Sequence, residues 1–241
     1  TLEAPVAADL YARLGAVAET RTEELERAAR AYASAADQGG DGEATLVALD
    51  RLYGRIGDAK ALAGVLERRV SAEVDASKQA ELLFRLGSLQ KEKFGDAPLA
   101  LATFRTALDR SQEHEGSRAA LEGLLPDHEL FADAAEALEA VYRATGRMTE
   151  LASLYEKKVE RSEGGDRIRA RLDLARIVED EVKDPARAQR TLEAALREDV
   201  ADADVLAELE RLATATSSWT EAAAALADGL AKISPSSSSR G

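Results

Sequence analysis

Slid forward until Leu86 lies on Leu174, this chain repeats itself. In that register Asp96 falls on Asp184, Ala100 on Ala188, Phe104 on Leu192, Ala107 on Ala195 and Leu108 on Leu196. The match runs on through Leu121 and Leu209, Leu124 and Leu212, Phe131 and Trp219, Ala135 and Ala223, and Leu138 and Leu226. A second, backward register sets Leu86 on Leu14, Gly87 on Gly15, Ala100 on Ala28, Phe104 on Tyr32, Leu121 on Leu49, Leu124 on Leu52 and Leu138 on Leu66. A chain built this way is an array of similar units, each too small to bury its own apolar face, so neighbours must cover one another.

Residues 83–108 show what the unit is. Leu83, Leu86 and Leu89 recur at helical spacing, Phe94-Gly95-Asp96 makes a turn, and Leu101, Phe104, Ala107 and Leu108 form a second stripe behind Pro98. One stripe per helix, three to four residues apart, predicts a helix-turn-helix pair. Along the chain the same reading predicts helices over about 6–19, 22–37, 43–56, 58–73, 77–94, 97–112, 117–125, 130–145, 148–162, 167–182, 185–198, 203–215 and 218–232. Leu10, Leu14 and Val17 form the stripe of the first, and Leu25, Ala28, Ala29 and Tyr32 that of the second. The forward displacement is longer than the backward one by about one helix, which places an extra helix at about 148–162 in the later part.

Alanine and leucine dominate and no stretch alternates apolar with polar residues, so no sheet is expected. The net charge is −13, from 32 Lys and Arg against 45 Asp and Glu. Such a surface repels phosphate backbones, which argues against nucleic acid and anionic membrane as partners. No apolar run approaches the ~18 residues of a membrane helix. The first residues, Thr-Leu-Glu-Ala-Pro, lack the basic and apolar regions of a signal peptide. A cytoplasmic bacterial protein is expected, as is a chain trimmed from something longer. The array is expected over 1–233 and a flexible Ser-rich tail over 234–241.

A Leu followed by Gly or Ala, an Ala in the next helix, and a bulky residue four beyond it resembles the tetratricopeptide repeat. Here those residues are Leu14-Gly15, Ala28, Tyr32 and Ala35; Leu86-Gly87, Ala100, Phe104 and Ala107; and Leu174-Ala175, Ala188, Leu192 and Ala195. The resemblance covers about 6–232 and implies an all-α, right-handed superhelical solenoid of about six helix-turn-helix repeats and roughly 13 helices. It also implies that Gly15, Gly87 and Ala175 let paired helices approach closely. Asp50 and Glu210 depart from the pattern, since each stands where the small residue belongs.

The motifs that carry chemistry are incomplete. Ser88-Leu-Gln-Lys91 has the spacing of a Ser-x-x-Lys nucleophile, but neither Ser-Asp-Asn nor Lys-Thr-Gly occurs, so it reads as helix surface. Asp37, Asp41 and Gly42 match three positions of a calcium loop, while Gly39 and Ala48 occupy its third and twelfth, so a helix-ending turn is expected. His114 and His128 are two ligands without a third and read as surface or turn residues. Tyr53 and Tyr142, at matching positions, read as core, and there is no phosphate-binding glycine loop. The expectation is a non-enzymatic chain with no cofactor and no metal.

What remains is surface. The first helices of the pairs are expected to line a concave face, and a residue two after each packing Leu is turned about 200° away. These are Ala16, Arg51, Ser88, Gly123, Ala140, Arg176 and Arg211. Arg51, Ser88, Arg176 and Arg211 are the candidate partner-binding residues, the arginines offering guanidinium groups to the carboxylates of a peptide or partner protein. In the alternative, these arginines pair with Asp and Glu of adjacent helices. The expected function is a protein-interaction scaffold, and the alternative is a structural or self-assembly segment.

Overall fold

The computed structural model describes residues 3–21, 24–40 and 42–233. Asp41, from the calcium-loop comparison, and the expected tail at 234–241 lie outside the described residues. All regular structure among the described residues is helical, in thirteen α-helices and one π-helical turn. The chain divides into two compact units, one ending at Leu138 and the other beginning at Glu139.

The first unit opens with α1 (Ala4–Arg21) and α2 (Leu25–Asp37), followed by α3 (Glu43–Ile56) with α4 (Ala59–Ala72) and α5 (Ala76–Leu89) with α6 (Ala97–Arg110). It continues through α7 (Glu115–Glu122) into the first part of α8 (Phe131–Ala144), whose residues from Glu139 on belong to the second unit. The second unit holds α9 (Met148–Arg161), α10 (Gly164–Asp180) with α11 (Pro185–Leu196), and α12 (Ala203–Thr216) with α13 (Trp219–Ile233).

The turns inside the pairs share one device. Gly57 and Gly95 take φ of 84° and 68°, ending α3 and the turn after α5, and the next residue, Asp58 or Asp96, accepts a backbone N–H at 3.0 Å to cap the following helix. At the matching positions of the second unit stand Lys183 and Ser217, which adopt φ of 64° and 59° without the freedom of glycine. Asp184 still caps α11, accepting from the Arg187 N–H at 2.9 Å. The repeat keeps the backbone path even where it has lost the residue suited to it.

The close approach implied by the small residue is present. A Cβ placed on Gly15 would lie 2.8 Å from the Tyr32 ring, and one on Gly87 would lie 2.6 Å from the Phe104 ring. Phe104 is fully buried and also meets the Phe84 ring, with centroids 6.0 Å apart.

Two details differ from the sequence reading. The helix expected to run unbroken to 94 gives way at Leu89 to one π-helical turn, residues 90–94. There the buried Gln90 accepts from Thr103 Oγ1 at 2.7 Å while its backbone carbonyl accepts from the Asp96 N–H. The stripe expected to pack α1 points outward: Leu10, Leu14 and Val17 are 49, 41 and 52% exposed. The face of small residues, with Ala8, Gly15 and Ala18, is the buried one. The reason lies in the repeat. Leu82 and Leu86, the counterparts of Leu10 and Leu14, are each 6% exposed because they pack on α4, and no described helix stands before α1 to do the same.

Candidate functional site

Arg51 extends from α3, with an exposed side chain, and grips Glu19 of α1 through two hydrogen bonds of 2.7 and 3.0 Å. Beside it on α3 is Asp50, a buried carboxylate in a unit whose core is mostly alanine and leucine. Asp50 is held by Arg85 of α5 at 2.5 and 2.8 Å and by Arg69 of α4. One acid thus ties three helices together, which explains why it can occupy the small-residue position. Burial alone would raise the Asp50 pKa; the hydrogen bonds and charges of Arg85 and Arg69 outweigh it and hold the carboxyl below its usual range. Ser88 lies half-buried on α5.

In the second unit Arg176 of α10 and Arg211 of α12 form one charged cluster with Glu179 of α10 and Glu208 of α12. Arg211 binds Glu208 at 3.1 and 3.2 Å and Glu179 at 3.1 Å and through a second, shorter contact. Arg176 meets Glu208 more loosely, at 3.6 Å. The hydrogen bonds that Arg211 donates to Glu179 and Glu208 push its pKa further up, and the same bonds, working against burial, hold Glu208 below the usual carboxylate range. Both arginine side chains are about half exposed, with the glutamates beneath them.

These two arrangements are copies. The step that carries Leu14 onto Leu174 also carries Glu19 onto Glu179 and Arg51 onto Arg211. The array has therefore repeated an arginine laid over a glutamate of the preceding first helix. The arginines stand out by their place after a packing leucine, whereas the glutamates carry no such mark beyond the displacement that connects them.

A third node escaped the sequence altogether. Glu139 accepts from the Tyr155 hydroxyl at 2.8 Å and is paired with Arg143 and Lys158, whose ammonium lies 4.3 Å from the centre of the Tyr155 ring. Burial, then the neighbouring carboxylate, pushes the Tyr155 hydroxyl up to about 12. Burial opposes but does not cancel the donors around Glu139, whose pKa is lowered.

Asp50 and Glu139 together set an acid limit. A carboxyl with a lowered folded-state pKa stabilises fully above its unfolded value, near 4, and that contribution is lost as pH falls through the folded value. Urea midpoints are therefore expected to hold from pH 7 to 5 and to decline below about pH 4; Asp50→Asn should blunt the decline, and an unchanged decline would show that Asp50 does not drive it.

The remaining candidates lie apart from these nodes. His114 caps α7 by accepting from the Ser117 N–H at 3.1 Å, packs its ring tilted against Phe84 with centroids 5.5 Å apart, and meets Glu81 at 3.2 Å. His128 is exposed in the turn before α8. Lys91 of the Ser-x-x-Lys spacing is exposed in the π-helical turn. Tyr142 is buried and Tyr53 half-buried. Among the described residues, no group of three His, Cys, Asp or Glu is placed to hold a metal, and no helix is long and apolar enough to cross a membrane.

No protein-family profile and no curated protein sequence matches the chain. Among solved structures it is similar to that of the MamA protein, at 22% identity over 80% of this chain and 92% of that one, with a TM-score of 0.32. YrrB, described as a TPR protein with an unusual peptide-binding site, aligns at 16% identity over 84% of this chain and 92% of its own, with a TM-score of 0.33. The TPR2AB domain of yeast Sti1, solved in complex with pHSP90, aligns at 14% identity over 92% of this chain and 89% of that chain, with a TM-score of 0.35.

Proposed function

We propose that the chain is a non-enzymatic protein-binding scaffold, and that the first-helix arginines receive the carboxylates of a peptide segment or partner protein. The observation that carries this reading is the repeated arginine over glutamate. Each guanidinium is already oriented by a less exposed glutamate beneath it, while its outer edge faces solvent. Holding the side chain in place beforehand lowers the ordering cost of binding, and a guanidinium bonded on one edge still has donors on another. Arg176, with its longer contact, is the one most open to an incoming carboxylate.

The same geometry serves a purely structural role if no ligand comes, so the test must see a ligand. Acidic peptides, titrated against the protein with anisotropy as the readout, are expected to bind more weakly to Arg176→Glu. Losing one charge-assisted hydrogen bond costs about 1.5–3 kcal/mol, roughly tenfold to a hundredfold in affinity. Binding should also weaken with salt. Peptides that bind Arg176→Glu and Arg211→Glu as well as wild type would remove the arginines from the proposal.

A further inference from the structure

The outward stripe of α1 has a covered counterpart inside the same chain, and the counterpart shows what kind of surface covers it. In the register that sets Leu86 on Leu14, the residues Leu10, Leu14 and Val17 correspond to Leu82, Leu86 and Leu89. The latter three pack against Leu62, Ala63, Leu66 and Val70 of α4, the second helix of the preceding pair. The chain carries that α4 face again. The step from Leu14 to Leu174 takes Leu62, Ala63, Leu66 and Val70 to Ala222, Ala223, Leu226 and Leu230 of α13. Ala222 is turned inward, Leu226 is half-buried, and Ala223 and Leu230 are exposed, as is Trp219 at the start of the helix.

The charges match in the same register. Within the chain, Arg85 of α5 crosses to the carboxylate of Asp50 on α3. Arg13 of α1 is the counterpart of Arg85, and Glu210 of α12 is the counterpart of Asp50; both are exposed. Gly229 occupies the position equivalent to Arg69, the second arginine on Asp50, so α13 offers Glu210 no counterpart of that partner. Among the described residues, α1 and α13 therefore present apolar faces that are complementary in this register.

We infer that α13 of one copy docks on α1 of a second copy, rebuilding the α4–α5 junction between molecules, with Arg13 facing Glu210 of the next copy. This contact joins two different patches, so each molecule added leaves a patch free for another. It uses neither Arg176 nor Arg211 and stands apart from the peptide-binding reading.

Multi-angle light scattering across a concentration series tests it, using the whole chain, Leu14→Glu and Leu230→Glu. Both substituted side chains are about half exposed, so the fold should survive, which circular dichroism checks. Wild type is expected to rise beyond twice the chain mass, and each variant to stay monomeric. An equimolar mixture of the two variants should give a dimer and nothing larger, because only one intact α13 and one intact α1 then remain to meet. Wild type that is monomeric throughout would overturn the inference. So would a Leu14→Glu protein that self-associates as wild type does, or variants whose mixture stays monomeric. Arg13→Glu should weaken association at least tenfold, and Glu210→Arg in the same chain should restore it; failure of the rescue would remove the charge register.

Discussion

Phe104→Ala is expected to lower the stability of the first unit by ~3–5 kcal/mol, the usual cost of emptying a fully buried aromatic site. The ring is 1% exposed and lies where a Cβ on Gly87 would come within 2.6 Å of it. It also contacts Phe84. Because Gly87 and Phe104 belong to paired helices, the cavity would open between α5 and α6, where neither backbone can close it alone. The thermal midpoint should fall by about 10 °C or more for a unit of this size. Gly87→Ala attacks the same contact from the other side, and its steric cost should outweigh the ~1 kcal/mol that alanine gains over glycine in a helix. A loss below ~1 kcal/mol for Phe104→Ala in urea denaturation would mean that the α5–α6 contact is not where the pair is held.

Asp50→Ala should have the second-largest effect. Removing one partner from a buried ion pair costs ~3–5 kcal/mol, because the remaining charge is left without compensation. Arg69 and Arg85 have side chains 21 and 39% exposed, so both retain some water and the expected loss is at the lower end, about 3 kcal/mol. Arg85→Ala should cost less, since Arg69 continues to neutralise the acid. Urea melts of the two variants would show the order; Arg85→Ala matching or exceeding Asp50→Ala would contradict a node centred on the aspartate.

Most of the helical layout was legible because the signal was redundant. Leu86, Ala100 and Phe104 each had counterparts at both displacements, so helix pairing did not depend on any single propensity. The turns were equally plain at Gly57-Asp58 and Gly95-Asp96, where the residue types carry the backbone requirement. What the sequence did not show was pairing between helices without a common period. Asp50 was visible as a departure from the pattern, but Arg69 and Arg85 lie 19 and 35 residues away and share no motif with it. The Glu139 node, built from Tyr155 and Lys158, was hidden for the same reason. The α1 stripe was read correctly as apolar and wrongly as internal. An apolar stripe encodes the need for a neighbour, and whether one is present is not a property of the helix itself.

At the candidate site, the arginines could be found from their position two residues after a packing leucine, and the structure places Arg51, Arg176 and Arg211 exposed on α3, α10 and α12. Their glutamates turn three isolated cations into two repeated, oriented arrangements, which is why the binding proposal concerns carboxylate recognition rather than net attraction.

Affinity capture from a lysate of the source organism tests that claim most directly. The wild-type chain should be run beside an Arg51→Glu, Arg176→Glu, Arg211→Glu triple variant with a verified helical melt, and beside the corresponding triple lysine variant. At least one protein should be retained by wild type, weakened by the lysine variant and lost from the glutamate variant, since lysine keeps the charge but not the bidentate fork. The same proteins retained equally by all three would contradict carboxylate recognition by these arginines.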